Sequence, residues 1–137
     1  MRRATPLAIA ALAIALAGCN PLDRSELRRE VQTLHSLTAE GRLMAKDVER
    51  DRTKATFVRV HAGELADAAD ESAQKIADAD VQQGLGGEAK RAIDLATEIS
   101  DALGELKTFP GDEAKARGVE AKLTDSAAGI VELERRL

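Results

Sequence analysis

The chain has 137 residues, 44% of them hydrophobic and 32% charged, with 24 acidic against 20 basic side chains and a formal net charge of −4. That length and balance fit one globular domain and exclude an intrinsically disordered chain. The single cysteine excludes an intrachain disulfide, a cysteine zinc cluster and the C-x-x-C-H haem attachment. The apolar residues are almost all Ala, Leu, Val and Ile, and the only two aromatic residues are Phe57 and Phe109. Bulky strand-forming runs are therefore missing, and helix is favoured throughout.

The first segment opens on Met1, Arg2 and Arg3, continues as an eleven-residue apolar run from Leu7 to Ala17, and closes on small residues before Cys19. This is the layout of a secretory signal peptide. A permanent transmembrane helix needs roughly 20 apolar residues, so the run is too short to be one. Leu16-Ala17-Gly18-Cys19 resembles the lipobox of bacterial lipoprotein precursors, in which Leu and two small residues precede the cysteine that becomes lipidated. The resemblance implies cleavage between Gly18 and Cys19, a diacylglycerol on the Cys19 sulfur, and often a further acyl chain, such as palmitate, on the freed amine.

Several chains at about 0.8 kcal/mol per buried CH₂ make a stable anchor, whereas one chain binds marginally. The competing reading, Cys19 packed inside the fold as a small hydrophobe, leaves the order of basic start, apolar run, small residues and cysteine unexplained. In the family's sorting rule an Asp after the cysteine retains a lipoprotein at the inner membrane. Asn20 therefore implies the outer membrane. The expected organisation is a removed signal peptide over residues 1–18 and a lipid-anchored domain over 19–137, at the periplasmic face.

Removing residues 1–18 takes Arg2 and Arg3 from the 20 basic side chains, leaving 18 against 24 acidic ones and a formal charge of −6. Together with the absence of an aromatic stacking platform, this argues against nucleic acid as a partner.

The rest divides into four apolar-periodic segments. In the first, Leu27, Val31, Leu34, Thr38, Gly41, Ala45 and Val48 alternate at spacings of four and three, widened by Leu37 and Met44. Asn20 before Pro21 can start this helix, and Asp23 with Glu26 offers a second cap, so the spacing predicts a helix over about 21–50. In the second, Val58, His61, Leu65, Ala68, Ser72, Ile76 and Ala79 form a stripe with a small step in register near Ile76. Its small side chains predict a close approach to a neighbouring helix. "DVQQGLGG" then breaks the pattern.

The third stripe is Leu85, Ala89, Ala92, Ala96, Ile99, Leu103 and Leu106. The fourth is Ala116, Val119, Leu123, Ser126, Ile130, Leu133 and Leu137. Between them Pro110-Gly111 predicts a turn and Asp112 a helix cap. Short connections favour antiparallel neighbours, so the pattern predicts an all-α, up-down-up-down four-helix bundle. An extended hairpin that completes its core by dimerising is the alternative. Neither an internal repeat nor a second domain is evident.

Three candidate sites follow. The up-down order gathers Arg24, Arg28, Arg29, Arg135 and Arg136 at the end beside Cys19, where anionic headgroups would be a partner. The same arginines equally suit a solvated surface and the C-terminal end of a helix. His61 lies on the second stripe with Glu64 a turn on, and folding the first two helices together sets Gly41 opposite His61 with Glu40 nearby. Glu40, His61 and Glu64 could then bind a divalent metal or a small ligand. A hydrogen-bonded histidine filling the room left by Gly41 is preferred, because a metal would lack enough ligands and the Glu-x-x-His signature of di-iron bundles is absent. "GLGGEAK" at 84–90 lacks the phosphate-loop pattern and a preceding strand, and Glu88 puts negative charge where an anion would bind, so it reads as a turn.

The sequence contains no H-E-x-x-H motif or Ser-His-Asp order, and its acids follow surface spacing. The expectation is a non-enzymatic structural or interaction bundle without a cofactor, held by membrane lipid through Cys19, with an envelope protein or a further copy as partner across its acidic faces. A small-ligand or metal carrier with a site near Gly41 and His61 is the alternative.

Overall fold

The computed structural model describes residues 20–137; the expected signal peptide, its expected cleavage point at Gly18 and the candidate lipidation position Cys19 lie outside them. Four helices follow one another, α1 (Arg24–Glu49), α2 (Ala55–Ala77), α3 (Gly86–Thr108) and α4 (Glu113–Arg136). The start of α1 is set by a capping box. The Asp23 carboxylate accepts from the backbone N–H groups of Ser25 and Glu26, at 2.8 and 2.9 Å, while the Glu26 carboxylate accepts from the Asp23 N–H. Those bonds favour the ionised carboxylate and hold the Asp23 pKa below its ordinary value, the Glu26 N–H contributing most. The second of the two caps offered by the sequence is thus the one used, and the helix begins three residues later than 21.

Residues 20–22 are not a loose lead-in. The Leu22 N–H donates to the Asp80 carbonyl at 2.6 Å, and the Gln82 N–H donates to the Leu22 carbonyl at 3.1 Å. This short parallel bridge to Val81 stitches the start of the domain to the α2–α3 loop, and Leu22 is buried beneath it. Gly84 supplies the left-handed backbone that turns this loop, at φ 91°. At the opposite end the Pro110-Gly111 turn leads into Asp112, whose carboxylate accepts from the Lys115 N–H at 2.9 Å.

The helices alternate in direction around one core. Adjacent pairs α1–α2, α2–α3, α3–α4 and α4–α1 all touch, α2–α3 and α1–α4 most extensively and α1–α2 least. Across the diagonals α1 meets α3, whereas α2 and α4 make no helix contact. The cross-section is therefore a rhombus. Its short diagonal is made possible by Gly41, since a Cβ there would lie 2.7 Å from Leu103 Cδ2 and 3.0 Å from Leu123 Cδ1. Leu27, Leu34, Ile76, Leu95, Ile99, Leu103, Leu106, Leu123 and Ile130 form the fully buried interior, each contributing on the order of 1.5–3 kcal/mol by leaving water.

The stripes expected for α1, α3 and α4 are the buried faces observed. That of α2 differs. Its buried residues Val58, Ala62, Leu65, Ala69, Ser72 and Ile76 keep an unbroken four-three alternation, so the step in register does not exist. His61 and Ala68 lie on the flank beside this stripe, and Ala79 falls beyond the end of the helix.

Candidate functional site

The α1–α2 seam carries two polar clasps. Near the Asn20 end, the buried Glu30 of α1 accepts from Ser72 Oγ at 2.8 Å and pairs with the exposed ammonium of Lys75. A carboxylate this far from water needs such partners, because an unpaired buried charge is costly. Nothing in the α1 pattern marks Glu30 for this role.

The second clasp holds the histidine. His61 Nε2 lies 2.6 Å from Glu40 Oε1 across the seam, and Nδ1 lies 3.2 Å from Glu64 Oε2 one turn along α2. Ionised carboxylates only accept, so an imidazole can satisfy both only as the doubly protonated imidazolium. The hydrogen bond with Glu40, followed by that with Glu64, raises the His61 pKa above its ordinary value against a smaller opposing effect of burial. The Phe57 ring rests against the imidazole at 5.3 Å between centroids, tilted by 31°.

Folding thus brings Glu40, His61 and Glu64 together, but not around a common point. The two carboxylates approach different ring nitrogens, and among the described residues no group of three or more His, Cys, Asp or Glu is arranged to hold a metal ion. His61 does not fill the room beside Gly41 either. Leu103 and Leu123 occupy it, and the layer is closed and apolar. What remains near His61 is a surface recess of about 170 Å³ lined by Glu40, Leu43, Met44, Asp47, Thr53, Phe57 and His61.

The five arginines do share one end of the bundle, with two of them already committed. Arg24 Nη1 donates to the Arg136 carbonyl at 2.8 Å, and Arg28 donates to the Leu137 carbonyl, so α1 caps the exposed carbonyls closing α4. Arg29, Arg135 and Arg136 remain well exposed, the first 3.8 Å from Glu26 and the others 3.4 and 3.2 Å from Glu132. "GLGGEAK" forms the α2–α3 turn and the first turn of α3, as its lack of a phosphate-loop pattern implies.

No family model, curated protein or solved structure matches this chain.

One feature is absent from the apolar periodicities. Leu43, Phe57 and Val60 are 62%, 58% and 59% exposed, and all three lie on the α1–α2 edge away from Asn20. Phe109, at the same end of the bundle, is also exposed, with the Lys115 ammonium 5.1 Å from its ring centroid. Both aromatic side chains of the chain are therefore outside the core. The signal in the sequence is their phase: Phe57 precedes the stripe residue Val58, and Leu43 precedes Met44. Among the described residues, no helix is long and apolar enough to cross a membrane.

Proposed function

We propose that this protein is a bacterial lipoprotein whose bundle is a non-enzymatic structural or interaction module, anchored by acylated Cys19 at the periplasmic face of the outer membrane. One observation carries the reading. The lipobox-like Leu16-Ala17-Gly18-Cys19 ends three residues before Leu22, which is buried and hydrogen-bonded to the α2–α3 loop. Only Asn20 and Pro21 separate the lipidated position from a fixed point of the fold, so the domain would stand directly on the bilayer. Exposed Arg29, Arg135 and Arg136 at that end suit anionic headgroups. The closed Gly41 layer favours a module that acts through its surface over one that encloses a ligand.

The test is fractionation of bacteria expressing the full chain. The wild type is expected in the outer-membrane fraction, Asn20→Asp in the inner membrane, and Cys19→Ser as an uncleaved precursor without the lipid anchor. A Cys19→Ser chain processed and partitioned like the wild type would overturn the reading.

A further inference from the structure

We infer that the end of the bundle remote from Asn20 carries a basic docking surface, centred on Arg59 and Lys107 across the α2–α3 seam, for an acidic segment of a partner protein. The charge pairing comes first. Among the described residues, every Arg and Lys meets a carboxylate or a helix-end carbonyl except Arg50, Arg52, Lys54, Arg59 and Lys107. All of these are exposed, and all lie at one end: Arg50, Arg52 and Lys54 in the α1–α2 connection, Arg59 in the second turn of α2, and Lys107 in the last turn of α3. The chain has 24 acidic against 20 basic side chains, so carboxylates are not scarce. The free cations are segregated from them.

Packing holds two of these cations on one flank. Lys107 crosses the seam onto α2, its Cδ and Cε 3.3 Å from where a Gly63 Cβ would lie, so the glycine leaves the seat for the lysine stem. Arg59 stands one turn before Gly63 on the same flank. The nearest acids of these two helices are engaged elsewhere, Glu64 by His61 on the α1 side and Glu105 by Lys122 and Lys115 of α4. Asp51 interrupts the basic run of the connection, Asp47 borders the α1–α2 recess, and Asp112 and Glu113 open α4, with Asp112 accepting from the Lys115 N–H. None of them lies on the α2–α3 flank. Lys54 and Arg59 also stand near the positive end of the α2 dipole, where no side chain caps the helix and a base costs stability.

This arrangement selects the partner. The cations are spread over the end instead of lining one closed cavity, so a small anion meets only one or two of them, whereas an extended acidic chain meets several together. The guanidinium groups offer paired donors that match carboxylates. Phe109, 43% exposed, follows Lys107 at the close of α3 and adds an apolar contact that a protein segment can use and a bare polyanion cannot. The acidic remainder of the chain repels such a segment and steers it to this end. Because α1 runs for 26 residues at about 1.5 Å each, the surface stands roughly 40 Å from Asn20. The inference does not depend on the anchor, since every residue it uses lies within 20–137.

The whole core also lies within 20–137, so fluorescence anisotropy on that span reads the surface without lipid. The probes are short labelled peptides: Glu-Glu-Leu repeats, an all-Glu peptide of equal charge, and Gln-Gln-Leu repeats. The Glu-Glu-Leu peptide is expected to bind saturably at low salt and less well as salt is added, more tightly than all-Glu, with no binding of the Gln-Gln-Leu peptide. Arg59→Glu combined with Lys107→Gln weakens it at least about fivefold, and Lys54→Asp about threefold, the scale of exposed ion pairs. Lys54→Asp also raises the melting temperature, because the new carboxylate caps α2. Reversing Arg135 and Arg136 to Glu at the opposite end leaves binding unchanged. Absence of saturable binding, affinity indifferent to the Arg59 and Lys107 changes, or an equal loss on reversing Arg135 and Arg136 would overturn the surface. An all-Glu peptide or inorganic polyphosphate bound as tightly as the Glu-Glu-Leu peptide would overturn the protein partner in favour of polyanions in general.

Discussion

Gly41 of α1 and Leu103 of α3 meet across the short diagonal of the bundle, the leucine methyl filling the space in which a Cβ would lie 2.7 Å away. Leu103 is fully buried and so cannot swing clear into solvent. Gly41→Ala is expected to destabilise the domain by roughly 1–3 kcal/mol through overpacking, even though alanine is the better helix former. Gly118 of α4 is exposed and has nothing within 4 Å of the corresponding Cβ position, so Gly118→Ala should stabilise by up to about 1 kcal/mol. Thermal or urea unfolding of both variants checks the opposite signs. Equal effects would remove the close diagonal contact from the account.

His61 gives the fold a pH dependence with a defined sign. Its folded-state pKa lies above the ordinary value because the imidazolium donates to Glu40 and then to Glu64, with Asp47 the further carboxylate lining the recess. The clasp therefore contributes fully below the unfolded-state pKa and is lost as pH rises through the raised folded value. The His61→Gln variant should be less stable than the wild type by about 0.5–1 kcal/mol near pH 5.5, the scale of a partly exposed ion pair, with a smaller difference near pH 8.5. Paired melting curves at the two pH values measure it. A deficit that grows with pH would mean that neutral His61 makes the favourable contact.

The arginine end separates two roles by position. Arg24 and Arg28 close the carbonyl end of α4, whereas Arg29, Arg135 and Arg136 are the ones open to a surface. For residues 20–137 without lipid, reversing the last three to Glu should weaken binding to vesicles rich in anionic lipid at least about tenfold, since each basic side chain near such a surface is worth about 1 kcal/mol. Melting should change little. Vesicle co-sedimentation at low salt is the measurement, and unchanged binding would remove the headgroup contact.

Three of the four helix faces were legible because Leu, Val and Ile stand out against polar neighbours along α1, α3 and α4. In α2 the contrast fades. Ala62, Ala66, Ala68, Ala69 and Ala73 spread nearly equal small side chains over the core face of the helix and both its flanks, so the phase had to be drawn from few residues, and the wider His61 pulled it one position off. Pairing the helices as a flat hairpin found the Glu40–His61–Glu64 cluster but missed the Gly41–Leu103 contact, which exists only because four helices close into a rhombus. Glu30 was hidden for a related reason. Its partners Ser72 and Lys75 are 42 and 45 residues away in sequence, and neither breaks the pattern of its own helix.

The anchor is the centre of the account, and an intact-mass measurement on the full chain purified from bacterial membranes tests it most directly. A mass beginning at Cys19 and increased by a diacylglycerol, with or without a further acyl chain, is the predicted result. A chain retaining residues 1–18, or one cleaved there and carrying no lipid, would contradict it.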